Sequence, residues 1–357
     1  MTNGVTVNLL AGGGLERREH PLLPPRPGGA LLAVERANVC GSDVHLWRGG
    51  HPTLNDCVLG HEFVGRVVDT GGAALHDARG ELLAEGDRVV CSYFRVCGTC
   101  AMCEAGRTNL CERTYDSWGR SSLQAPHFRG AFASHYHLHP EQIRVKVPAG
   151  VPGSLAALAN CALAQGLAVV DAIRPELPAG PGLVIGAGAL GLSTVVGAPA
   201  GTTWDVHDRV AERCRIAELF PGVRGRAELP PVAGILGGNY DVVVVAAGSP
   251  EAFATALEQV RPGGQIVMMG IINARPTDVV AIRPGVLTRK GVTVSSVIRY
   301  HERHLLAAVD LLSRPTPLDR LPLVEYGLDA AEDALAAAEC HKSGRVSLVP
   351  GLDGGDR

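Results

Sequence analysis

Cys40, His61 and Glu62 are the first residues in the chain whose types and spacing could do chemistry. They lie in the runs Cys40-Gly41-Ser42-Asp43-Val44-His45 and Gly60-His61-Glu62. A soft thiolate, an imidazole and a carboxylate make up the ligand kit of a catalytic zinc, provided that a later residue closes the site. Cys97, Cys100, Cys103 and Cys111 follow with the spacing C-x2-C-x2-C-x7-C. Four thiolates on one short segment suit a closed tetrahedral structural zinc, one that ties down a lobe (about residues 95–113) too small to bury its own core. Four unrelated free thiols are the bland alternative, and metal-site spacing of this kind argues against it.

A third constellation is rich in glycine. Gly182-Leu183-Val184-Ile185 reads as a strand, and Gly186-Ala187-Gly188-Ala189-Leu190-Gly191 opens a helix. Asp208 stands about 20 positions on, where the strand Thr202–His207 ends. In this context the glycines allow a tight turn and let a helix N-terminus approach a pyrophosphate, while the carboxylate accepts hydrogen bonds from a ribose diol. Asp208 favours NAD by repelling a 2′-phosphate, and Arg209 beside it keeps NADP open. Ala246-Ala247-Gly248, at the end of the apolar strand Asp241–Val245, suits close passage of the same cofactor.

These groups need scaffolds to position them. Ala30–Val34 reads as a short buried strand leading to Cys40, on a loop or at a helix start. Val58-Leu59 leads into His61, Phe63–Val68 continues as a strand, and Gly86-Asp87-Arg88 turns into Val89-Val90. Short β runs with frequent turns predict a β-rich N-terminal domain. The rest of residues 1–36 reads as loop, with Pro21, Pro24, Pro25 and Pro27 before Gly28-Gly29. Arg113, Tyr115, Trp118, Arg120, His127, Arg129, His135, His137 and His139 crowd residues 112–142. That segment reads as a partly exposed loop running into a strand over Ala131–Leu138, rather than as a histidine metal cluster. Ser154–Ala172 turns helical and contains Asn160-Cys161, where a buried cysteine taken alone is a small hydrophobe. Asp241–Val245 and Gln265–Met269, alternating with helices, predict a parallel doubly wound sheet. From about Thr293 the chain leaves that pattern, and the helices Leu305–Leu312 and Ala330–Cys340 return to the first domain.

At 357 residues the chain has length for about two domains. Apolar residues at 46%, charged residues at 19% and a net charge of -3 give no reason to expect a nucleic acid or an acidic membrane as partner. No apolar run approaches the ~20 residues that cross a bilayer, and a basic-then-apolar leader is lacking, so a cytoplasmic location is expected. Of the ten cysteines, Cys57, Cys91, Cys214 and Cys340 read as ordinary thiols.

Taken together, the Cys40–His45 run, Gly60-His61-Glu62, Gly86-Asp87-Arg88-Val89, the four-cysteine lobe, Asn160-Cys161-Ala162-Leu163-Ala164 and the glycine fingerprint resemble the zinc-dependent medium-chain alcohol dehydrogenases over nearly the whole chain. The resemblance implies an α/β protein: a GroES-like β-barrel catalytic domain (1–162 and 297–357) plus a Rossmann doubly wound parallel-sheet domain (163–296). It implies a catalytic zinc on Cys40, His61 and Cys161, with Glu62 ligating in some members and sitting behind the metal in others. Asp43 matches a residue that orients the ligating imidazole by fixing its other ring nitrogen. Alignment of Arg213 and Ala217 with the family pattern selects Asp208 over Asp205 for the ribose. Weaker likenesses point to the threonine and polyol branch and to a phosphonate-associated branch. Two departures stand out: Pro199 and a shortened Gly191–Asp208 segment predict a short first helix in the Rossmann domain, and Gln165 replaces a common Thr near the nicotinamide.

The expected chemistry is reversible hydride transfer between an alcohol carbon and the nicotinamide, with two zinc ions per chain and NAD or NADP. Zinc on the trio lowers the alcohol's pKa, Ser42 takes the proton and His45 relays it outward. The metal is expected in the cleft, facing the nicotinamide. Ser42 as a mere helix cap and His45 as a surface histidine are the bland alternatives. A small alcohol or carbonyl compound is the expected partner, in a homodimer or homotetramer. Arg120, His127, Arg129, Arg299 and His301 would suit an anionic alcohol such as a hydroxyalkylphosphonate. A one-way biosynthetic aldehyde or ketone reductase and a non-catalytic nicotinamide-binding protein are the competing readings.

Overall fold

The computed structural model describes residues 2–49, 56–116, 121–176, 180–269, 279–340 and 344–352, so Trp118 and Arg120 lie outside the described residues. Chain contacts divide it into two compact units: Met1–Cys161 with His301–Pro315 and Pro322–Arg357, and Ala162–Tyr300 with Thr316–Leu321.

The first unit opens on a hairpin where loop was expected. β1 (Asn3–Leu9) pairs antiparallel with β2 (Leu15–Pro21), Asn3 opposite Pro21 and Leu9 opposite Leu15. The run Leu-Glu-Arg-Arg-Glu-His-Pro in β2 carries no apolar period. The ladder, together with Arg18 paired to Glu16 and Asp56, holds it in place.

There follow β3 (Ala30–Asn38), α1 (Gly41–Trp47), β4 (Cys57–Val58), β5 (Glu62–Asp69), β6 (Leu75–His76), β7 (Leu82–Leu83), β8 (Arg88–Cys91), α2 (Ala101–Glu104), β9 (His135–Leu138), β10 (Arg144–Lys146) and α3 (Gly153–Ala156). The second unit carries α4 (Ala164–Ala172), β11 (Gly182–Ile185), α5 (Ala189–Gly197), β12 (Trp204–His207), α6 (Ala211–Ala217), β13 (Val223–Arg226), β14 (Tyr240–Val245), α7 (Pro250–Gln259), β15 (Val260–Met269), α8 (Pro284–Lys290) and β16 (Thr293–Val297). The chain then returns to the first unit through α9 (Glu302–Leu312), β17 (Leu323–Tyr326), α10 (Ala331–Glu339) and β18 (Arg345–Leu348).

The main sheet of the first unit runs β10-β8-β5-β3-β18-β17, with β9 also on β3. Its core draws on both ends of the chain, since Val7, Leu32, Phe63, Val89 and Phe132 pack in one cluster with Leu335 and Val346. The strand expected over Ala131–Leu138 begins only at His135. Ahead of it, Ala131 and Phe132 donate their N–H groups to Gly60 and Leu59 instead of joining a regular ladder.

All six strands of the second unit are parallel, in the order β13-β12-β11-β14-β15-β16. Strand order reverses between β11 and β14, the place where such sheets bind ligands. β14 is buried on both faces, which its Val242–Val245 run predicts. α5 is short, as expected: Ala198 is already extended, as the residue before Pro199 prefers.

The helical stretch Ser154–Ala172 is not continuous, because a π turn over Ala159–Leu163 separates α3 from α4. Gly153–Ala172 is long and apolar enough to cross a bilayer, but 78% of its 18-residue apolar window is buried inside the protein. Ala162 and two segments expected in the first domain group by contacts with the second. Val297 still pairs with Met269 in the parallel sheet, so the chain leaves that unit only after Tyr300. Thr316–Leu321 holds to the second unit, with Arg320 Nη1 donating to the Leu219 carbonyl at 2.7 Å.

Candidate active site

Cys40 leaves β3 and takes the N-cap position of α1 in an extended conformation. One turn on, the fully buried Asp43 knits the surrounding backbone: it accepts the Cys40 N–H at 2.9 Å and the Gly60 N–H at 3.1 Å, and its Oδ1 lies 3.4 Å from His61 Nδ1. Gly60 has φ +85°, and a Cβ there would sit 2.7 Å from the Phe132 nitrogen and 2.3 Å from its ring, so only glycine lets His61 enter here. With Nδ1 turned to Asp43, Nε2 faces the sulfur of Cys161 at 3.7 Å.

The ligand atoms of Cys40, His61 and Cys161 all lie within 4.8 Å of one another. A tetrahedral zinc with thiolate and imidazole ligands spaces its S and N atoms about 3.6 Å apart. The donor set therefore fits zinc. Glu62 is buried nearby at 3% exposure, but its carboxylate is outside this trio.

Electrostatics favour a cation here. The Cys161 thiol beside it holds Cys40 well below its usual pKa, and Cys40 in turn drives Cys161 well above its own, so Cys40 is the readier thiolate of the pair. Burial alone would lower the pKa of His61, but the charge and hydrogen bond of Asp43 hold it well above its usual value.

Ser42 is the second residue of α1 and Cys40 holds the cap position, which removes the helix-cap reading of Ser42. Its hydroxyl is among the groups that lower the pKa of the Cys40 thiol. His45 follows within α1, half-buried. Tyr93, unnoticed in the sequence, sets its ring edge-on to His61 at 5.3 Å. Only its place two residues beyond β8 could have marked it.

The four cysteines of the lobe also converge within 4.8 Å, with Cys100 and Cys111 sulfurs 4.0 Å apart against about 3.8 Å for a tetrahedral zinc site. Backbone N–H groups, led by that of Thr99, hold Cys97 down at about 6, while burial pushes Cys103 up to about 12.

In the second unit, Gly186 has φ +110° and a Cβ there would meet the Ala247 nitrogen at 2.9 Å, so the glycine loop passes close against Ala246-Ala247-Gly248 at the end of β14. Gly188 caps α5 and faces open space, whereas a Cβ on Gly191 would strike the Gly186 carbonyl. The N–H groups of Ala189 and Leu190 start the helix without intrahelical acceptors, which suits a pyrophosphate. Asp208 accepts the N–H groups of Ala187 at 3.0 Å and Val210 at 2.9 Å, with Arg213 Nη1 at 3.5 Å and Arg209 exposed. Asp205 is fully occupied elsewhere: buried in β12, it joins Arg224, Arg226 and the Tyr240 hydroxyl.

Three of the cations considered for an anionic substrate have structural work. Arg129 donates to the carbonyls of Pro126 and Ala125 and lines a cavity of about 390 Å³ with Arg26, Arg95 and His139. His127 faces the Ser122 carbonyl and stacks on His20, and His301 caps α9 and contacts Thr108. Arg299 is 9% exposed.

Two family descriptions match this chain: the alcohol dehydrogenase GroES-like domain over residues 26–149 and the zinc-binding dehydrogenase domain over 187–314. The L-threonine 3-dehydrogenase of Edwardsiella ictaluri is 30% identical over 335 residues, 89% of this chain and 91% of that one. The chain belongs to the zinc-dependent medium-chain alcohol dehydrogenase family. It is an alcohol dehydrogenase with a GroES-like domain and a zinc-binding dehydrogenase domain of the Rossmann type. The L-threonine 3-dehydrogenase of Aeromonas hydrophila is 31% identical, covering 89% of this dehydrogenase and 91% of its own length. An alcohol dehydrogenase from Thermotoga maritima superposes with a TM-score of 0.85 at 27% identity, covering 98% of this chain and all of its own.

Proposed function

We propose that this dehydrogenase oxidises a small polar alcohol of the threonine or polyol type, reversibly and with NAD, at a zinc held by Cys40, His61 and Cys161. The observation that carries the reading is the convergence of those three ligand atoms around an imidazole already oriented by Asp43. When bound, zinc polarises the alcohol oxygen and lowers its pKa, and the nicotinamide accepts the hydride. The chain's own groups do the rest. Ser42, beside Cys40, takes the hydroxyl proton, and His45 further along α1 passes it outward. Gly186, Gly188, Ala189, Leu190 and Gly191 cradle the pyrophosphate, and Asp208 accepts the ribose hydroxyls with the lone pairs its two backbone donors leave. Arg213 steadies the Asp208 carboxylate, Arg209 beside it points to solvent, and Ala247 and Gly248 border the cofactor. Cys97, Cys100, Cys103 and Cys111 hold the second zinc, and Glu62 stands in reserve beside the first.

The polar-substrate choice follows from the relatives' class and from Arg129, whose donors already serve backbone carbonyls. A homodimer or homotetramer is part of the proposal. Among the described residues no strand pairs the outer edge of β16, where Val294 stands 43% exposed with Ile298 just beyond the strand at 45%, and such an edge invites a second copy. A cytoplasmic location accompanies it.

Metal analysis joined to a substrate panel tests the reading. About two zinc ions per chain, and turnover of L-threonine or polyols above hydroxyalkylphosphonates, is the expected result. One zinc confined to the cysteine lobe would sink the catalytic site.

A further inference from the structure

Asn160 sits in the π turn directly before Cys161 and is completely buried. Its side-chain nitrogen donates to the His61 carbonyl at 2.9 Å and to the Cys91 carbonyl at 2.7 Å. These two acceptors belong to neighbouring chain segments. β5 and β8 pair antiparallel through Gly65 opposite Val89 and Arg66 opposite Arg88. The pairing stops there, so His61, just ahead of β5, and Cys91, the last residue of β8, lie where the ladder has opened. Both protons of the Asn160 amide go to that opening, one to each segment.

We infer that Asn160 is a positioning residue of the catalytic metal site: a two-pronged clamp that fixes the turn bearing Cys161 to the backbone of His61 and holds the open end of the β5–β8 pair at the separation the ligand trio needs. The inference rests on the zinc reading of Cys40, His61 and Cys161. The π turn supports it, because such wide turns aim consecutive residues in directions an α-helix does not allow, here Asn160 at two carbonyls and Cys161 at the imidazole. No other residue type of this size delivers two N–H donors from one atom. Serine delivers one and aspartate, when ionised, none.

Asn160→Ala and Asn160→Ser test it, each purified with zinc and compared with the wild type. Three readouts are used: zinc retained during dialysis against a graded chelator, the visible absorption of protein reloaded with cobalt(II) at the catalytic position, and kcat and KM separately. Loss of a group that positions ligands costs about 10- to 100-fold in metal affinity or activity. Asn160→Ala is expected to release the catalytic metal in that range more readily, keep the lobe zinc, shift the cobalt bands and lower kcat more than it changes KM. Asn160→Ser, with one donor left, should fall between Asn160→Ala and wild type.

A purely space-filling role predicts a lower melting temperature in both variants with catalytic-metal retention and cobalt bands unchanged, and that result overturns the inference. If Asn160→Ala fails to fold, Asn160→Ser decides on the same measurements, wild-type retention and spectrum again counting against. A wild-type protein that holds zinc only in the lobe overturns the metal reading itself. A wild type with two zincs and variants with an unaltered site overturns the role of Asn160 alone.

Discussion

Asp43 spends its carboxylate on three groups, the N–H of Cys40, the N–H of Gly60 and the Nδ1 side of His61, while remaining completely buried. Asn at this position keeps the shape but turns one acceptor into a donor, which must then face an N–H. The expected result of Asp43→Asn is a fall of about 10- to 100-fold in kcat/KM or catalytic-zinc affinity, read by initial rates and zinc competition. A variant with wild-type values in both would show that Asp43 serves the fold and not the imidazole. Asp208 invites a parallel test. Hydrogen bonds to a charged group contribute about 1.5–3 kcal/mol, so Asp208→Ala should lower kcat/KM with NAD by about 10- to 100-fold and leave NADP far less affected. An unchanged NAD to NADP ratio removes Asp208 from the ribose site. At this scale the sequence was readable where spacing groups ligand types: Cys40, His61 and the four lobe cysteines stand in runs that suggest metal sites and do converge, while Asp43 was marked only by the family resemblance. Tyr93 and the carbonyl acceptors of Asn160 were not, because a contact between segments distant in the chain leaves no mark on the spacing within either one.

The lobe shows what an element can and cannot do alone. α2 has four residues, and isolated helices below ~12 residues are marginal in water. Between Cys97 and Cys111 the only buried side chains are those of Cys103 and Cys111 themselves. A metal held by the four cysteines would supply the order that apolar burial does not. Cys103→Ser is expected to lose the lobe zinc, keep the catalytic one and expose residues 97–111 to limited proteolysis, with cleavage sites identified by mass spectrometry. Cleavage no faster than in wild type would mean that the flanking chain, and not the metal, orders the lobe. Element legibility followed apolar patterning. β5, β11 and β14 announce themselves by buried runs. β2 is charged along its length and is set by pairing with β1, so it reads as loop. The apolar, Ala-rich stretch over Ser154–Ala172 reveals a helix but cannot register the π turn, because one extra residue in a turn leaves composition and approximate period unchanged.

The two-unit plan was legible because the alternation of strands and helices begins and ends abruptly, whereas Thr316–Leu321 joins the second unit through contacts between segments about a hundred residues apart in sequence, such as the hydrogen bond from Arg320 to the Leu219 carbonyl. One global property emerges from residues that the sequence left as loop or polar stretch. His20, His135, His137 and His139 all lie in the first unit, and in each burial is the first cause of a pKa below the usual value, reaching about 4 for His139. His139 shows why. Its Nδ1 accepts the Glu141 N–H at 3.1 Å and its Nε2 lies 3.1 Å from an Arg26 nitrogen, while Arg95 adds a second positive charge that Glu141 only partly offsets. Protonation would set donors against donors. In the unfolded chain the same ring titrates near its ordinary value of about 6.5. Between that value and about 4 the unfolded state thus binds more protons than the folded one, so stability falls as pH falls across this window, and His139 adds no further loss below it. Thermal unfolding followed from pH 7 to 4 should show a declining midpoint in the wild type. His139→Asn should unfold at a lower temperature at neutral pH, since it loses ring contacts, yet decline less steeply through the window. Metal release in acid affects both proteins alike, so the difference in slope belongs to His139, and equal slopes would mean that its ring charges in the folded state as readily as in the unfolded one.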